Sequence, residues 1–320
     1  MFKKVFTVYC LAFACLLLLS GCSSQKNSET GKRFAILTYN NSDTFNRNLI
    51  KAMQQTASQN GASTTVFNAN NSSDKQIAQL KKAVKAKYDA ILIRPVEANN
   101  AQEMIALAGK TPVIFYNSEP DEDVLVANKD IYVGPDEKQA GQLQAKYILQ
   151  KFAQKQTINV AILQGANSIS SNKRTNALKD GLEASNKKIN YVFEDDGQWD
   201  EQTAQDLTSI FLKTKQKVDV LAANNDDMAN GAIKAFQKAN HKLPIICGID
   251  ASAVGKKDIK QGVMQFSALQ NVNRQGKLCI KAATLLSNKQ KVASLKGASA
   301  SQKYVLDTFT PITAQNVDNY

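Results

Sequence analysis

The residue types that could do chemistry lie just after short apolar runs. Asp43 and Phe45 follow Phe34–Thr38, and Asn117 follows Val113–Tyr116. Ser168, Ser170 and Arg174 come after Asn159–Leu163, Trp199 lies in the stretch GQWDEQ, Asn225 follows Val218–Ala222, and Asp250 closes Ile245–Asp250. Carboxylates, amides, one guanidinium and two aromatics make a mixture suited to a pyranose. Planar bidentate groups can hold adjacent hydroxyls, and flat rings can cover the C–H face of the sugar. Each residue also has a plainer reading. Phe45 could be core, Arg174 a surface charge, and the Asn and Asp residues turn-formers. Their shared placement after strands is what favours a binding site.

Other chemistries find little support. A single histidine, His241, leaves no basis for a serine triad or a histidine metal site. The turn after the first strand reads YNNSDTF rather than GxGxxG, and no GxxxxGK[ST] occurs, so no phosphate-cradling loop is expected. Counting carboxylates leaves a glycosidase open. Asp43 and Asp250 sit among amides able to hold neutral hydroxyls, which favours a binding protein over an enzyme. No cofactor is expected.

The elements that position these residues alternate regularly. Strand-like runs at Phe34–Thr38, Ser63–Phe67, Ala90–Ile93 and Val113–Tyr116 are separated by helical patterns over Asn46–Gln59, Ser73–Lys85 and Ala98–Ala108. The pattern pauses around Asp130–Pro135, a helix follows at Glu137–Ala153, and the series restarts. Strands at Asn159–Leu163, Asn190–Glu194, Val218–Ala222 and Ile245–Gly248 alternate with helices at Asn172–Asn186, Glu201–Thr214 and Asp227–Lys238. Local echoes (FAILTYNN against VAILQGAN, YDAILI against VDVLAA) support two copies of one unit. After Gln270 come a helix, Arg274–Leu286, and a strand, Tyr304–Phe309. The fold class expected is α/β: two similar doubly wound parallel-sheet lobes joined by a three-stranded hinge, with a cleft between them. Crossings near Gly134-Pro135, Gln270-Asn271 and Leu306-Asp307 would assign residues 32–134 plus 271–306 to the N-terminal lobe. Residues 135–270 plus 307–320 would form the C-terminal lobe.

The chain begins with a leader. Lys3 and Lys4 precede an apolar run, Val5–Leu19, too short to read as a spanning helix. Residues 1–21 read as a lipoprotein signal peptide, because Leu19-Ser20-Gly21-Cys22 resembles the bacterial lipobox. Cys22 is then the lipidated residue, and residues 22–31, polar throughout, form a flexible tether. The protein is expected on the outer face of the cell membrane. Cys247 and Cys279 read as buried free thiols. The net charge is +12. Its lysines spread over helix faces without an aromatic platform or a DNA- or RNA-binding motif, so a solvated surface is expected, with no nucleic-acid partner.

Six segments carry a resemblance over nearly the whole mature chain. They are DTFNRNLIKAM, VIFYNSEP, IYVGPDEKQAG, GQWDEQTAQ, LAANNDDMANGAIKAF and GIDAS. The chain resembles type 1 periplasmic sugar-binding proteins, particularly the galactose/glucose branch. The resemblance implies a monomer that captures a monosaccharide and hands it to an ABC permease, or presents its closed form to a chemoreceptor or membrane kinase. It implies that Phe45 and Trp199 sandwich the ring. It also implies hydrogen bonds from Asp43, Asn117, Arg174, Asn225 and Asp250, with Gln270 at a place usually held by Asn. Two departures stand out. Where the family offers His and Asp ahead of the arginine, this chain reads GANSISSNKR, with Ser168 and Ser170 nearest those places. Where the family carries an acidic calcium loop, this chain reads AQKQTIN, so no metal is expected.

Overall fold

The computed structural model describes residues 31–41 and 44–320. The leader, Cys22, the rest of the tether up to Thr30, and Asp43 lie outside the described residues. Among those described, no helix is long and apolar enough to cross a membrane.

In the first half, β1 (Arg33–Thr38), β2 (Ser63–Asn68), β3 (Ala90–Ile93), β4 (Val113–Tyr116) and β5 (Asp130–Pro135) alternate with α1 (Thr44–Gln59), α2 (Ser73–Lys85) and α3 (Ala101–Ala108). In the second, α4 (Glu137–Lys151) leads into β6 (Thr157–Gln164), α5 (Ile169–Glu183), β7 (Lys188–Asp196) and α6 (Glu201–Lys213). Then come β8 (Val220–Ala223), α7 (Asp226–Lys238), β9 (Ile245–Asp250), α8 (Ala253–Lys260) and β10 (Phe266–Leu269). The chain finishes with α9 (Val272–Ser287), β11 (Tyr304–Asp307) and β12 (Thr310–Ile312).

Two six-stranded sheets result, in the orders β11-β5-β4-β3-β1-β2 and β12-β10-β9-β8-β6-β7. Within the two sheets, all strand pairs among the described residues are parallel except β10 with β12. The central strands β3, β4 and β8 are apolar and buried at every position, as strands covered on both faces must be. Alternate residues of β1 go to opposite faces. Phe34 and Ile36 join the core under α1 and α9, and Ala35 and Leu37 join the core under α2 and α3. Cys279 and Cys247 are buried free thiols, as the sequence leads one to expect, in the cores of the first and second sheets.

Three features differ from the sequence expectation. The pause at residues 130–135 is a fully buried strand, β5, between β4 and β11. Gly134 and Pro135 masked it, but the proline stands at the strand's last position, where a missing N–H is tolerated. Between Gly248 and Gln270, where no element was placed, lie α8 and β10. Both are too short for periodicity to show. The strand expected over Tyr304–Phe309 ends at Asp307 as β11, which closes the first sheet, and a further short strand that was not expected, β12, runs antiparallel on the edge of the second. Pro311 suits that edge position.

The chain passes from one sheet to the other at three places: after Pro135, between Leu269 and Val272, and between Asp307 and Thr310. Helix α9 packs against α1, β3 and β5, although its sequence follows the second sheet.

Candidate functional site

The carboxyl ends of both sets of parallel strands meet at the crossings, and the polar residues gather there. Arg174 is the centre. It sits on α5, whose first turn is capped by Ser168, the hydroxyl oxygen accepting from the Ser171 amide at 3.2 Å. Helix α4 packs unusually close to α5, because a side chain at Gly141 would put its Cβ 2.1 Å from the Arg174 carbonyl oxygen. Arg174 Nε donates to Glu137 Oε2 at 2.5 Å and Nη1 donates to the Asn224 carbonyl at 2.6 Å. Nη2 reaches Gln270 Oε1 at 3.4 Å, and Nη1 lies 3.8 Å from Asp250 Oδ1. The guanidinium also lies 5.5 Å from the Trp199 ring centroid and 5.7 Å from that of Phe309, within range of a cation–π attraction.

Gln270 carries this network to the first sheet. Its Nε2 donates to Asn117 Oδ1, which also accepts from Gln275 Nε2 at 2.9 Å. Asn117 follows β4 with φ +54°, a left-handed conformation that asparagine tolerates. Asn225 caps α7, its Oδ1 accepting from the Met228 amide at 2.9 Å, and its Nδ2 donates to the Trp199 carbonyl at 3.2 Å. Asp250, at the end of β9, has φ +108°, and Ala251 follows at +44°. Such strain is kept where the surroundings over-determine it. The Asp250 carboxylate accepts no hydrogen bond from another described side chain.

Electrostatics follow from burial. Desolvation raises Asp250 well above the usual carboxylate range, with Arg174 opposing the shift. Burial works against the Arg174 charge, yet the Glu137 and Asp250 carboxylates outweigh it and keep the guanidinium more firmly protonated. The result is a largely buried cluster of one cation and two carboxyl groups, with amides around it. It can grip hydroxyl groups from several directions.

Of the expected site residues, Asn117, Arg174, Trp199, Asn225, Asp250 and Gln270 are brought together. Ser168 caps α5 and lines a rim cavity of about 260 Å³ with Asn99 and Asp121 from across the cleft. Ser170 lies in the first turn of α5, outside these contacts. Phe45 is half-buried against the first-sheet core, and Trp199 packs partly against the second-sheet core, so each ring has a structural share. Asp43 lies outside the described residues. Sequence reasoning missed Glu137, Asn224, Gln275 and the pair Lys173–Glu119, which bridges the cleft at 2.6 and 2.7 Å. Asn224, 1% exposed, accepts from Gly165 N, Ser171 Oγ and Thr175 Oγ1 and so fixes the turn before α5. Its place in the run NNDD was the only hint. Among the described residues, no group of three His, Cys, Asp or Glu is arranged to hold a metal.

Comparison with known proteins agrees with this architecture. Residues 34–291 match the family described as periplasmic binding protein domain. A putative rhizopine-binding protein of Rhizobium meliloti is 30% identical over 237 residues, covering 72% of this chain and 76% of that protein. The D-galactose/methyl-galactoside binding periplasmic protein of Haemophilus influenzae is 26% identical, covering 95% and 93%. The crystal structure of an ABC transporter solute binding protein from Bacillus halodurans with bound myo-inositol superposes with a TM-score of 0.79. It is 25% identical and covers 91% of this chain and 98% of that one. This chain belongs to the type 1 periplasmic sugar-binding proteins, extracytoplasmic solute-binding components of ABC transporters rather than enzymes.

Proposed function

We propose that this protein is a lipid-anchored solute-binding protein. It captures one galactose- or glucose-like monosaccharide between its lobes and delivers it to an ABC permease. The observation that carries this reading is the contact set of Arg174. One guanidinium lies beside Asp250, Gln270 and the Trp199 ring, and Gln270 links it to Asn117 of the other sheet. A polyhydroxylated ring entering there meets donors, acceptors and an aromatic face at once. The D-galactose relative, similar along almost the full length of both chains, supports a hexose. The lobes in this reading are residues 32–134 plus 271–306 and residues 135–270 plus 307–320. Asp43, Phe45, Ser168 and Ser170 complete the sugar-facing set, and the protein works as a monomer.

Calorimetric titration with D-galactose, D-glucose, D-ribose, D-allose and myo-inositol tests the proposal. Saturable binding of D-galactose or D-glucose, ahead of the others, is expected. Preference for another compound of the set removes the hexose assignment, and binding of none removes the sugar site. The anchor has its own test. Cys22→Ala should leave the protein in the soluble fraction or as uncleaved precursor. Membrane fractionation like that of the wild type would remove the lipid.

A further inference from the structure

We propose that Glu137 is the positioning residue for Arg174, and that this pair ties the site to the first of the three crossings. The role rests on reading the cleft as the ligand site, but its central test does not need a ligand. The guanidinium is planar with five donors in a fixed fork, so holding two of its edges fixes its plane. Glu137 Oε2 takes the Nε edge at 2.5 Å, and the Asn224 carbonyl takes Nη1 at 2.6 Å. Nη2 is left pointing along Gln270, towards Asn117 of the first sheet. The side chains of Arg174 and Glu137 are 5% and 2% exposed. A guanidinium so buried would be held at great cost without a counter-ion. Glu137 supplies one whether or not a sugar is present.

The sequence position of Glu137 gives the pair its second property. It stands two residues beyond Pro135, where the chain leaves the first sheet, and opens α4. Arg174 also touches Gln270 in the second crossing and lies 5.7 Å from the Phe309 ring in the third. The Phe309 amide donates in turn to Gln139 Oε1, on the first turn of the same α4, at 2.6 Å. One site side chain therefore contacts all three connections. Any rotation of the lobes about them must shift Glu137, Gln270 and Phe309 relative to the guanidinium. A glutamate in the first turn of a helix has a plainer use, compensation of the helix dipole. Under that use its effect would be independent of Arg174.

The test uses the full chain with Glu137→Gln, Arg174→Met and the double variant. Trp199, the only tryptophan, reports on the guanidinium beside its ring. Three readouts are taken: Trp199 emission without ligand, the thermal midpoint, and calorimetric affinity for D-galactose, D-ribose and myo-inositol. Glu137→Gln should shift the emission and lower the midpoint. It should weaken binding of whichever compound the wild type takes by roughly tenfold or more, the scale of effect seen when a supporting residue around a metal site is lost. In the Arg174→Met background the same substitution should leave the emission unchanged and should no longer lower the midpoint, raising it instead where Glu137 is left buried without its cation. An equal drop in midpoint in both backgrounds, or wild-type emission and affinity in Glu137→Gln, overturns the proposal. If Glu137→Gln does not fold, recovery of folding in the double variant supports the pairing, and failure of both overturns it. If the wild type binds none of the three compounds, the sugar reading is damaged, while emission and midpoint still decide the role of Glu137.

Discussion

At the scale of single residues, three members of the cluster adopt left-handed backbone angles: Asn117 at +54°, Trp199 at +61° and Asp250 at +108°. Asparagine accepts this readily, whereas a bulky tryptophan at +61°, and an aspartate at +108° outside the left-handed helical well, do so only under constraint. The ring of Trp199 lies over Gly165, where a Cβ would come 2.1 Å from it, and leans on the second-sheet core. Trp199 therefore has a structural share beside the stacking role that the resemblance implies. Trp199→Ala should weaken sugar binding by about 1–3 kcal/mol and also lower the melting temperature. Titration and thermal unfolding of the same sample check both, and unchanged affinity would take the ring out of the site. Asp226 is the other informative residue. Its buried carboxylate accepts from Ser267 Oγ at 2.6 Å and the Ser252 amide at 2.7 Å, in space left by Gly248 and Gly255. Burial lifts it to about 7, above its usual value, against the pull of those hydrogen bonds. Between about pH 4 and about pH 7 the folded protein thus holds a proton that the unfolded chain has lost, so stability falls as pH rises through that window. Asp250 is shifted in the same direction. The melting temperature should be higher at about pH 5.5 than at about pH 7.5, and Asp226→Asn should shrink the difference. A midpoint that rises with pH over this range would contradict the assignment.

At the scale of elements, the α4–α5 contact matters most, because it sets where Arg174 stands. Gly141 meets the Arg174 carbonyl and the Leu178 amide, and Gly181 meets the methyl of Ala145. The clash at Gly141 is with backbone, which cannot rotate away. Gly141→Ala should push the helices apart, cost about 1–3 kcal/mol of stability and weaken ligand binding together. Denaturant unfolding and titration measure the two effects, and a variant as stable as the wild type would show that the helices can separate freely. Ser72, Ser168, Asp200, Asn225, Ser252 and Asn271 each receive an amide hydrogen bond at a helix start, a use of these residue types that the sequence reading did not assign to Ser168 or Ser252. The strand β5 was not legible, since its Gly-Pro ending looks like a turn until β11 is known to lie beside it.

At the scale of the whole molecule, the two halves are joined by three connections and by contacts across the cleft. Lys173 of α5 grips both oxygens of Glu119, which follows β4, and Glu119 is only 6% exposed at its side chain. Burial raises the Glu119 carboxyl, with the lysine opposing that shift. Removing the carboxylate charge should favour the open arrangement, because the lysine loses its partner across the gap. Small-angle scattering should give Glu119→Gln a larger radius of gyration than the wild type without sugar. A saturating sugar should reduce the radius of the wild type. Equal radii in all three samples would speak against a moving hinge.

Alternating strands and helices, duplicated halves and the buried character of Cys247 and Cys279 could be read from residue order alone. They depend on periodicity and on neighbours a few positions apart. The partners within the cleft could not. Glu137 meets Arg174 across 37 positions, Glu119 meets Lys173 across 54, and Asn117 meets Gln270 across 153. A polar residue at the end of a strand has the same local signature whether it turns the chain, caps a helix or faces a cleft. Only the return of α9 and β11 to the first sheet brings the crossings together, and that return decides which of these residues surround Arg174.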